Sequence, residues 1–252
     1  MYLCIDIGNT SIGFGIYQNT KQHYITSLYP ERIDDNFSYT SFIKEILEIS
    51  NTQKEDIESI IYSSVVPKVD DILIPVLKNI FNKDVIRIKS LPLNIKIEGI
   101  DINEVGDDLI CDLEGANYLY QSPTIVIDLG TASKVLLIDK NNKFDSCLII
   151  PGLSMSIASL SMKAALLPTI DLKTPESVLA HNTIDAMNAG IILGHVEMIK
   201  GLCQRIEKEI GYQCQKVITG GSAKYLLKDL GEEYHYVQDL VNIGMIKMYE
   251  GL

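Results

Sequence analysis

The 252-residue chain carries one short pattern twice, about half a chain apart. Asp6-Ile7-Gly8-Asn9-Thr10-Ser11 and Asp128-Leu129-Gly130-Thr131-Ala132-Ser133 each place an aspartate after an apolar run, followed by a glycine turn, a serine and a second apolar run. Because self-similarity at a fixed period marks a repeated architecture, the pattern predicts two halves with the same build.

Both copies lie between segments rich in β-forming residues, which predict strands. Three strands are expected at the start of each half, over residues 1–7, 12–17 and 23–29 and over residues 124–129, 133–139 and 144–150. Apolar residues with helical spacing alternate with further strands after each group. The chain is therefore predicted to be an α/β protein of two domains, residues 1–115 and 116–252, with mixed sheets flanked by helices.

The repeated turn has the chemistry of a phosphate site. A glycine lets backbone N–H groups approach an anion without a Cβ in the way. Each copy also places a carboxylate, Asp6 or Asp128, at the end of a strand, where Mg²⁺ could join it to a phosphate. One copy alone would indicate only a tight hairpin, whereas two matching copies favour phosphate binding. Short polar donors follow the glycines: Asn9, Thr10, Thr131 and Ser133.

A third glycine turn follows a predicted strand over residues 216–219. Gly220-Gly221-Ser222 is predicted to lead into a helix through residues 225–227, so that the turn permits close ligand contact and the helix N-terminus favours negative charge. In the second half of a duplicated fold, this is where we expect an adenosine.

Asp108 is the candidate general base. It ends the segment Val105-Gly106-Asp107-Asp108, which precedes a predicted helix. The helix macrodipole would keep a carboxylate ionised there, ready to accept a proton from a hydroxyl. Helix capping is an equally good interpretation, because aspartate is favoured at N-caps.

The segment 182–202 predicts one long helix, with Asn182 or Thr183 as its N-cap. A helix that is apolar on two faces needs packing partners on both sides. We therefore expect one face to pack on its own domain and the other on a second copy of the chain. The apolar residues are Ile184, Met187, Ile191 and Met198 on one face and Ile192, Val196 and Ile199 on the other.

Composition limits the classes of binding partner and indicates the cellular compartment that we expect for this chain. The net charge of −11 argues against nucleic-acid and anionic-membrane partners, since phosphate neutralisation needs clustered basic residues. Five cysteines, an odd number without a CxxC pair, indicate neither a disulfide framework nor a zinc site. With no apolar stretch of membrane-spanning length, the cytoplasm is the expected location.

Taken together, the motifs resemble those of the type III pantothenate kinases, in the same order along essentially the whole chain. The matching segments are Asp6-Ile7-Gly8-Asn9-Thr10, Ser64-Val65-Val66-Pro67, Val105-Gly106-x-Asp108, Asp128-x-Gly130-Thr131-Ala132, Pro151-Gly152-Leu153, Leu167-Pro168, Asn182-Thr183, Gly190-Ile191, Thr219-Gly220-Gly221 and Leu240-x4-Gly244.

The resemblance implies duplicated ribonuclease H-like domains of the actin-like ATPase type, each with a mixed five-stranded sheet flanked by helices. It implies ATP-dependent phosphorylation of pantothenate in coenzyme A synthesis, with Mg²⁺, a monovalent cation (K⁺ or NH₄⁺) and a homodimer. The implied roles are as follows: Asp6, Gly8, Asn9 and Thr10 in the first phosphate loop; Gly130, Thr131 and Ala132 in the second; Asp6 and Asp128 at the metal; Gly220 and Gly221 beside adenosine; Asp108 as the base; and Gly106, Asp108 and Thr183 at pantothenate.

The chain departs from the family pattern mainly on the pantothenate side. Leu109 stands where the family has an arginine, and leucine offers no donor to a carboxylate. Lys134 follows the second loop, where its ammonium would meet phosphate or stand in for the monovalent cation, or else point to solvent. The remaining departures are Gly99, Ile102, Ser146 and Cys147.

Three hypotheses follow from this pattern. The first is a pantothenate kinase, and the second is a weakly active or inactive paralogue that acts as a nucleotide-binding regulator or partner protein. The third is a kinase of the same fold for another small hydroxyl compound. Consumption of ATP in the presence of pantothenate and Mg²⁺ separates them.

Overall fold

The computed structural model describes residues 1–29 and 35–251. It divides into two compact units, Met1–Leu119 with Asp239–Leu252, and Tyr120–Gln238. The sequence placed the division at residues 115 and 116 and assigned the C-terminal segment to the second half. In the structure the chain instead returns to the first unit at Asp239.

The strands and helices alternate along the chain, as an α/β protein requires. The strands are β1 (Tyr2–Ile7), β2 (Ile12–Gln18), β3 (Lys21–Leu28), β4 (Ser59–Ser64), β5 (Val85–Arg87), β6 (Lys96–Ile97), β7 (Thr124–Leu129), β8 (Ala132–Ile138), β9 (Lys143–Pro151), β10 (Gln215–Thr219) and β11 (Tyr234–Tyr236). The helices are α1 (Asn36–Ile49), α2 (Pro67–Phe81), α3 (Asp107–Tyr120), α4 (Leu153–Lys163), α5 (Thr183–Ile210) and α6 (Leu240–Glu250).

Five strands of each unit follow the same topology, which confirms the predicted duplication. In the first unit these five strands lie in the order β3-β2-β1-β4-β5, and the five strands of the second unit lie in the order β11-β10-β7-β8-β9. Each unit opens with an antiparallel meander, β1-β2-β3 or β7-β8-β9. A parallel strand, β4 or β10, then pairs with the first strand of that meander, and a further parallel strand follows it. Both sheets are therefore mixed, as predicted.

Each core forms where one face of a sheet meets helices. Leu3, Ile5 and Ile7 alternate along β1 and so share one face, where they cluster with buried residues of α1 and α2. In the second unit, the equivalent alternation in β7 clusters with Ile192 and Val196 of α5. This confirms that one apolar face of the long helix packs on its own domain.

Helix α6 belongs to the first unit because two glycines let it approach α3 closely. A Cβ at Gly244 would lie 2.6 Å from the carbonyl carbon of Cys111, and one at Gly115 would lie 3.2 Å from the backbone nitrogen of Gly244. The side chain of Asn242 also donates a 3.0 Å hydrogen bond to the hydroxyl of Tyr17 on β2. These contacts join residues far apart in sequence, so no local pattern indicates them.

Two sequence predictions about helices need correction. The prediction of a helix after Ser222 is wrong, since only a 3₁₀ turn, Ala223–Tyr225, forms there. The long helix is longer than predicted and runs to Ile210, where Gly211 ends it in a left-handed conformation. Its N-cap is Asn182, whose side chain accepts a 2.9 Å hydrogen bond from the backbone nitrogen of Asp185. Among the described residues, no helix has the length and apolar character needed to span a membrane.

Candidate active site

The first repeated turn lies at the carboxyl end of β1. Gly8 donates a 3.0 Å hydrogen bond from its backbone nitrogen to the carbonyl of Ser11, which closes the hairpin. Asn9 and Thr10 at its tip are exposed, whereas Asp6 is partly buried. The structure thus brings Asp6, Gly8, Asn9 and Thr10 together in one hairpin whose donors are accessible to a ligand.

Asp6 is held by the neighbouring parallel strand. Ser63 lies opposite Asp6 in the pairing of β1 with β4, and its fully buried hydroxyl donates to a carboxylate oxygen of Asp6. The carboxyl ends of parallel strands form the edge at which α/β sheets bind ligands. The sequence did not identify Ser63, because its role depends on the register between two strands separated by α1.

The adjacent residue of β4 connects this edge to the start of α3. The backbone nitrogen of Ser64 donates a 3.3 Å hydrogen bond to Asp107, which is 1% exposed. Arg87 and Lys89 form ion pairs with Asp107 at 2.8 and 3.3 Å. The hydrogen bond to Asp107 raises the pKa of Arg87 above its ordinary value. Two cations and a backbone donor therefore fix the first residue of α3.

Asp108, the candidate base, lies in the first turn of α3. The helix begins at Asp107, so Asp108 is inside it rather than at the N-cap, which weighs against the capping interpretation. Its carboxylate packs over Gly106, where an added Cβ would collide with Oδ1. Asp107 is buried against cations while Asp108 remains partly exposed. Of this pair, Asp108 is the one that a substrate can reach.

The second repeated turn lies at the end of β7, in the position equivalent to the first. Gly130 and Ala132 are partly exposed and Thr131 is exposed. Asp128 lies opposite Lys134 of β8, whose Nζ is 2.8 Å from Oδ2 of Asp128. Lys134 therefore does not point away into solvent but pairs with the carboxylate of the second loop.

The third glycine turn packs directly on the second loop. Gly220 has a φ of +91°, and a Cβ there would lie 2.6 Å from the backbone nitrogen of Leu129. Ser222 donates a 3.0 Å hydrogen bond from its backbone nitrogen to the carbonyl of Leu129. An added Cβ at Gly221, by contrast, would have nothing within 4 Å. The turn therefore offers close backbone approach, and the helix dipole expected from the sequence does not form there.

Ser133 is not one of the anion donors, contrary to the sequence prediction. It is 2% exposed, and its hydroxyl lies 2.8 Å from Nε2 of His195 on α5. Strand alternation explains the difference, because Ser133 and Lys134 point to opposite faces of β8. His195 is thus a core histidine with a hydrogen-bond partner.

Thr183 lies elsewhere in the second unit, exposed at the start of α5. It lines a cavity of about 720 Å³ together with Leu160, Leu167, His181, Met187 and Ile191. The residues that line this cavity do not include Gly130, Thr131 or Gly220.

The carboxylate at the end of β1 has oxygen donors of the kind that a magnesium ion prefers. Among the described residues, no group of three or more histidine, cysteine, aspartate or glutamate side chains could hold a metal ion. Mg²⁺ is usually bound through one or two protein carboxylates together with substrate phosphates, and it keeps several waters. Asp6, with its hydroxyl-supported carboxylate next to an exposed turn, has the donor chemistry for this arrangement.

Solved structures identify the fold. The TM-score is 0.61 with a conserved putative Baf family transcriptional activator from Campylobacter jejuni, at 19% identity over 99% of this chain and 98% of that chain. It is 0.54 with the (R)-2-hydroxyglutaryl-CoA dehydratase component A of Acidaminococcus fermentans, at 16% identity over 98% and 96%. The fold is that of the actin-like ATPases, with two duplicated domains.

Sequence comparison then gives the family. The profile of the type III pantothenate kinases matches residues 2–205. The type III pantothenate kinase of Exiguobacterium sp. is 31% identical over 252 residues, 99% of this chain and 98% of its own. The one from Dictyoglomus turgidum is 34% identical over 230 residues, 90% and 89% of the two chains. The chain belongs to the type III pantothenate kinase family, and is thus a kinase that transfers phosphate to an alcohol group.

Because His195 is buried, we expect the fold to be less stable in acid. Burial lowers the pKa of His195 below its ordinary value of 6.5, so the folded chain favours the neutral imidazole. The unfolded chain binds the proton more readily, and the free energy of unfolding should fall as the pH drops below 6.5. One proton contributes a slope of at most about 1.4 kcal/mol per pH unit.

Urea titrations between about pH 5 and about pH 8 test this expectation. His195→Gln keeps a hydrogen-bonding side chain but cannot titrate, so its stability should depend less on acid than that of the wild type. His181→Gln, which changes an exposed histidine of the same unit, is the matched control and should behave as the wild type. Equal acid dependence in the His195 variant and the wild type would contradict the assignment.

Proposed function

We propose that this chain transfers the γ-phosphoryl group of ATP to pantothenate and forms 4′-phosphopantothenate, the first step of coenzyme A biosynthesis. The observation that carries the proposal is the link between the first loop and the candidate base. Ser63 holds Asp6, and the next residue, Ser64, holds Asp107 beside Asp108. One strand end thus supports both a carboxylate suited to the metal and a carboxylate suited to proton transfer.

The two loops and the third glycine turn bind the nucleotide in this proposal. Backbone N–H groups and short side chains of the two turns bind the phosphates, and the carboxylates Asp6 and Asp128 lie on the metal side. When bound, Mg²⁺ neutralises charge on the β- and γ-phosphates. Adenosine lies along the open side of the third turn. The residues are Asp6, Gly8, Asn9 and Thr10; Asp128, Gly130, Thr131 and Ala132; and Gly220 with Gly221.

Asp108 acts as the general base on the pantothenate hydroxyl. The macrodipole of α3 favours its ionised form, because it lies in the first turn of that helix. Asp108 takes the hydroxyl proton as the substrate oxygen bonds to the γ-phosphorus. The bond from that phosphorus to the β–γ bridging oxygen breaks, and ADP leaves with the electron pair.

Among the residues assigned to pantothenate binding, the chain departs from the family pattern at a buried position. Leu109 replaces the family's arginine and is only 8% exposed, so it packs in the core and offers no donor. Gly106 keeps space for the carboxylate of Asp108, and Thr183 provides a hydroxyl at the start of α5. We expect weak pantothenate binding with the chemistry retained. A monovalent charge at the phosphates, from K⁺, NH₄⁺ or a side chain, completes the site. We infer that the reaction takes place in the cytoplasm.

Replacing the base tests the proposal. Asp108→Asn should lower the rate of pantothenate-dependent ADP formation by about 10²–10⁴-fold, because the amide cannot accept the proton. Asp84→Asn, which changes an exposed aspartate of the same unit, is the matched control and should retain the wild-type rate. Wild-type protein that consumes no ATP above background with pantothenate and Mg²⁺ would exclude the kinase and leave the nucleotide-binding regulator.

A homodimer through the second face of α5 is part of this proposal. Gly190 and Gly194 are exposed on that helix, and a Cβ at either would have nothing within 4 Å. Large exposed apolar side chains of the second unit support a buried interface, since monomers rarely expose extended apolar patches. They are Ile149, Met162, Leu166, Val178, Leu179 and Ile184.

Light scattering tests the assembly. The wild-type chain of 28.1 kDa should show twice that mass at micromolar concentration. Met162→Asp places a charge at an 85% exposed apolar position of this surface and should shift the mass toward the monomer. Phe37→Asp, at an 80% exposed position of the first unit, should leave the dimer intact. A monomeric wild type would refute the dimer.

A further inference from the structure

The two duplicated loops differ in what the sheet places beside each aspartate. Asp6 pairs across the hairpin with Gly13, and Asp128 pairs in the equivalent position with Lys134. On the parallel side, Asp6 lies opposite Ser63 and Asp128 lies opposite Thr219. The hairpin of the first unit therefore adds no side chain beside its aspartate, whereas that of the second unit adds an ammonium.

The position of Lys134 is set by the sheet. Directly opposed residues of an antiparallel pair share one face, so Lys134 and Asp128 point to the same side of β7 and β8. Their side chains are 18% and 12% exposed, and Nζ lies 2.8 Å from Oδ2. An ion pair of a flexible lysine that is exposed to water contributes little to the free energy of folding. Here most of the pair is shielded from water, so the attraction between the ammonium and the carboxylate is stronger than it would be at the surface.

This ion pair changes what the second aspartate can bind. A divalent ion at Asp128 would have to displace the ammonium or lie beside it, and both arrangements are electrostatically costly. The residue that faces Asp6 in its own hairpin is Gly13, which has no side chain to compete with a divalent ion. Of the two duplicated aspartates, Asp6 is thus suited to a divalent ion from solution, whereas Asp128 is paired with the ammonium of Lys134.

An ammonium carries three donor hydrogens, so one lysine can bind a carboxylate and a phosphate oxygen at the same time. Lys134 follows the exposed turn Gly130-Thr131 by only a few residues, and its partner Asp128 precedes that turn. In the proposed complex the phosphates lie against this turn. The ammonium would then neutralise part of their charge without any ion from solution.

We propose that Lys134 is a nucleotide-binding residue and the permanent monovalent cation of the second phosphate loop, with Asp128 as its orienting partner. This inference rests on the proposed nucleotide site but not on the identity of the acceptor substrate. It has a direct consequence: binding of Mg²⁺ and nucleotide does not depend on dissolved K⁺ or NH₄⁺. The inference thereby narrows the metal site proposed above from two aspartates to Asp6, since Asp128 holds the ammonium of Lys134.

The first test needs no variant. A non-hydrolysable ATP analogue with Mg²⁺ is titrated calorimetrically into the wild-type protein, in choline chloride and in potassium chloride of equal ionic strength. The affinity should be the same in both salts. A wild-type affinity that falls severalfold without K⁺ would overturn the inference, because the site would then need a dissolved cation.

The second test removes the charge. Lys134→Ala should weaken binding in choline chloride by about tenfold or more, the cost of one charge-assisted hydrogen bond. Ammonium chloride should restore part of that loss, since NH₄⁺ can enter the space of the missing group. Lys134→Arg should retain binding without added cation, and Lys208→Ala, an exposed lysine of the same unit, is the matched control.

Thermal unfolding of each variant separates lost binding from lost structure. Unchanged affinity in a folded Lys134→Ala protein would overturn the inference. Pantothenate-dependent ATP consumption, measured in parallel, distinguishes it from the proposed function. If nucleotide binding depends on Lys134 but no ATP is consumed, the inference is supported and the kinase is rejected. If ATP is consumed at the same rate with and without Lys134, the kinase is supported and the inference is rejected.

Discussion

The hydrogen bond from Ser63 to Asp6 ties the candidate site to the fold. It joins the carboxyl ends of two parallel strands, and so it forms only when β1 and β4 pair in the observed register. The following residue, Ser64, extends the same edge to Asp107 and thereby fixes the start of α3. The carboxylate that we assign to the metal ion and the one that we assign to proton transfer are thus connected to neighbouring residues of one strand. A change in that register would uncouple them.

Duplication gives the two units the same sheet but not the same charge at the strand ends. Ser63 supports Asp6 with a neutral hydroxyl, whereas Lys134 meets Asp128 with an ammonium. Strand alternation decides which residue of β8 serves the loop, because Ser133 on the other face is bonded to His195 in the core. The same scaffold therefore presents two aspartates with different electrostatic surroundings. We attribute different ligand roles to them for that reason.

Much of the fold and part of the site could be predicted from the sequence, because both depend on local patterns. The repeated Asp-x-Gly turns indicated the duplication, and strand alternation with helical spacing indicated the mixed sheets. Contacts between distant segments could not be read in this way: the return of α6 to the first unit depends on Gly115 and Gly244, and Ser63 depends on strand register. The sequence predicts a helix through residues 225–227 after the turn Gly220-Gly221-Ser222. Gly220 instead packs on Leu129, and only a 3₁₀ turn follows.

The central claim is that the Asp-x-Gly turns at the strand ends bind the phosphates of a magnesium-bound nucleotide. Calorimetric titration of a non-hydrolysable ATP analogue with Mg²⁺ into the wild type and Asp6→Asn tests it most directly. Asparagine can still accept the hydrogen bond of Ser63, so the fold should persist and the unfolding midpoint should stay near that of the wild type. We predict one nucleotide per wild-type chain and an affinity at least about tenfold weaker in the variant, since a metal-bound carboxylate is lost. Equal affinity in the two proteins would contradict the account.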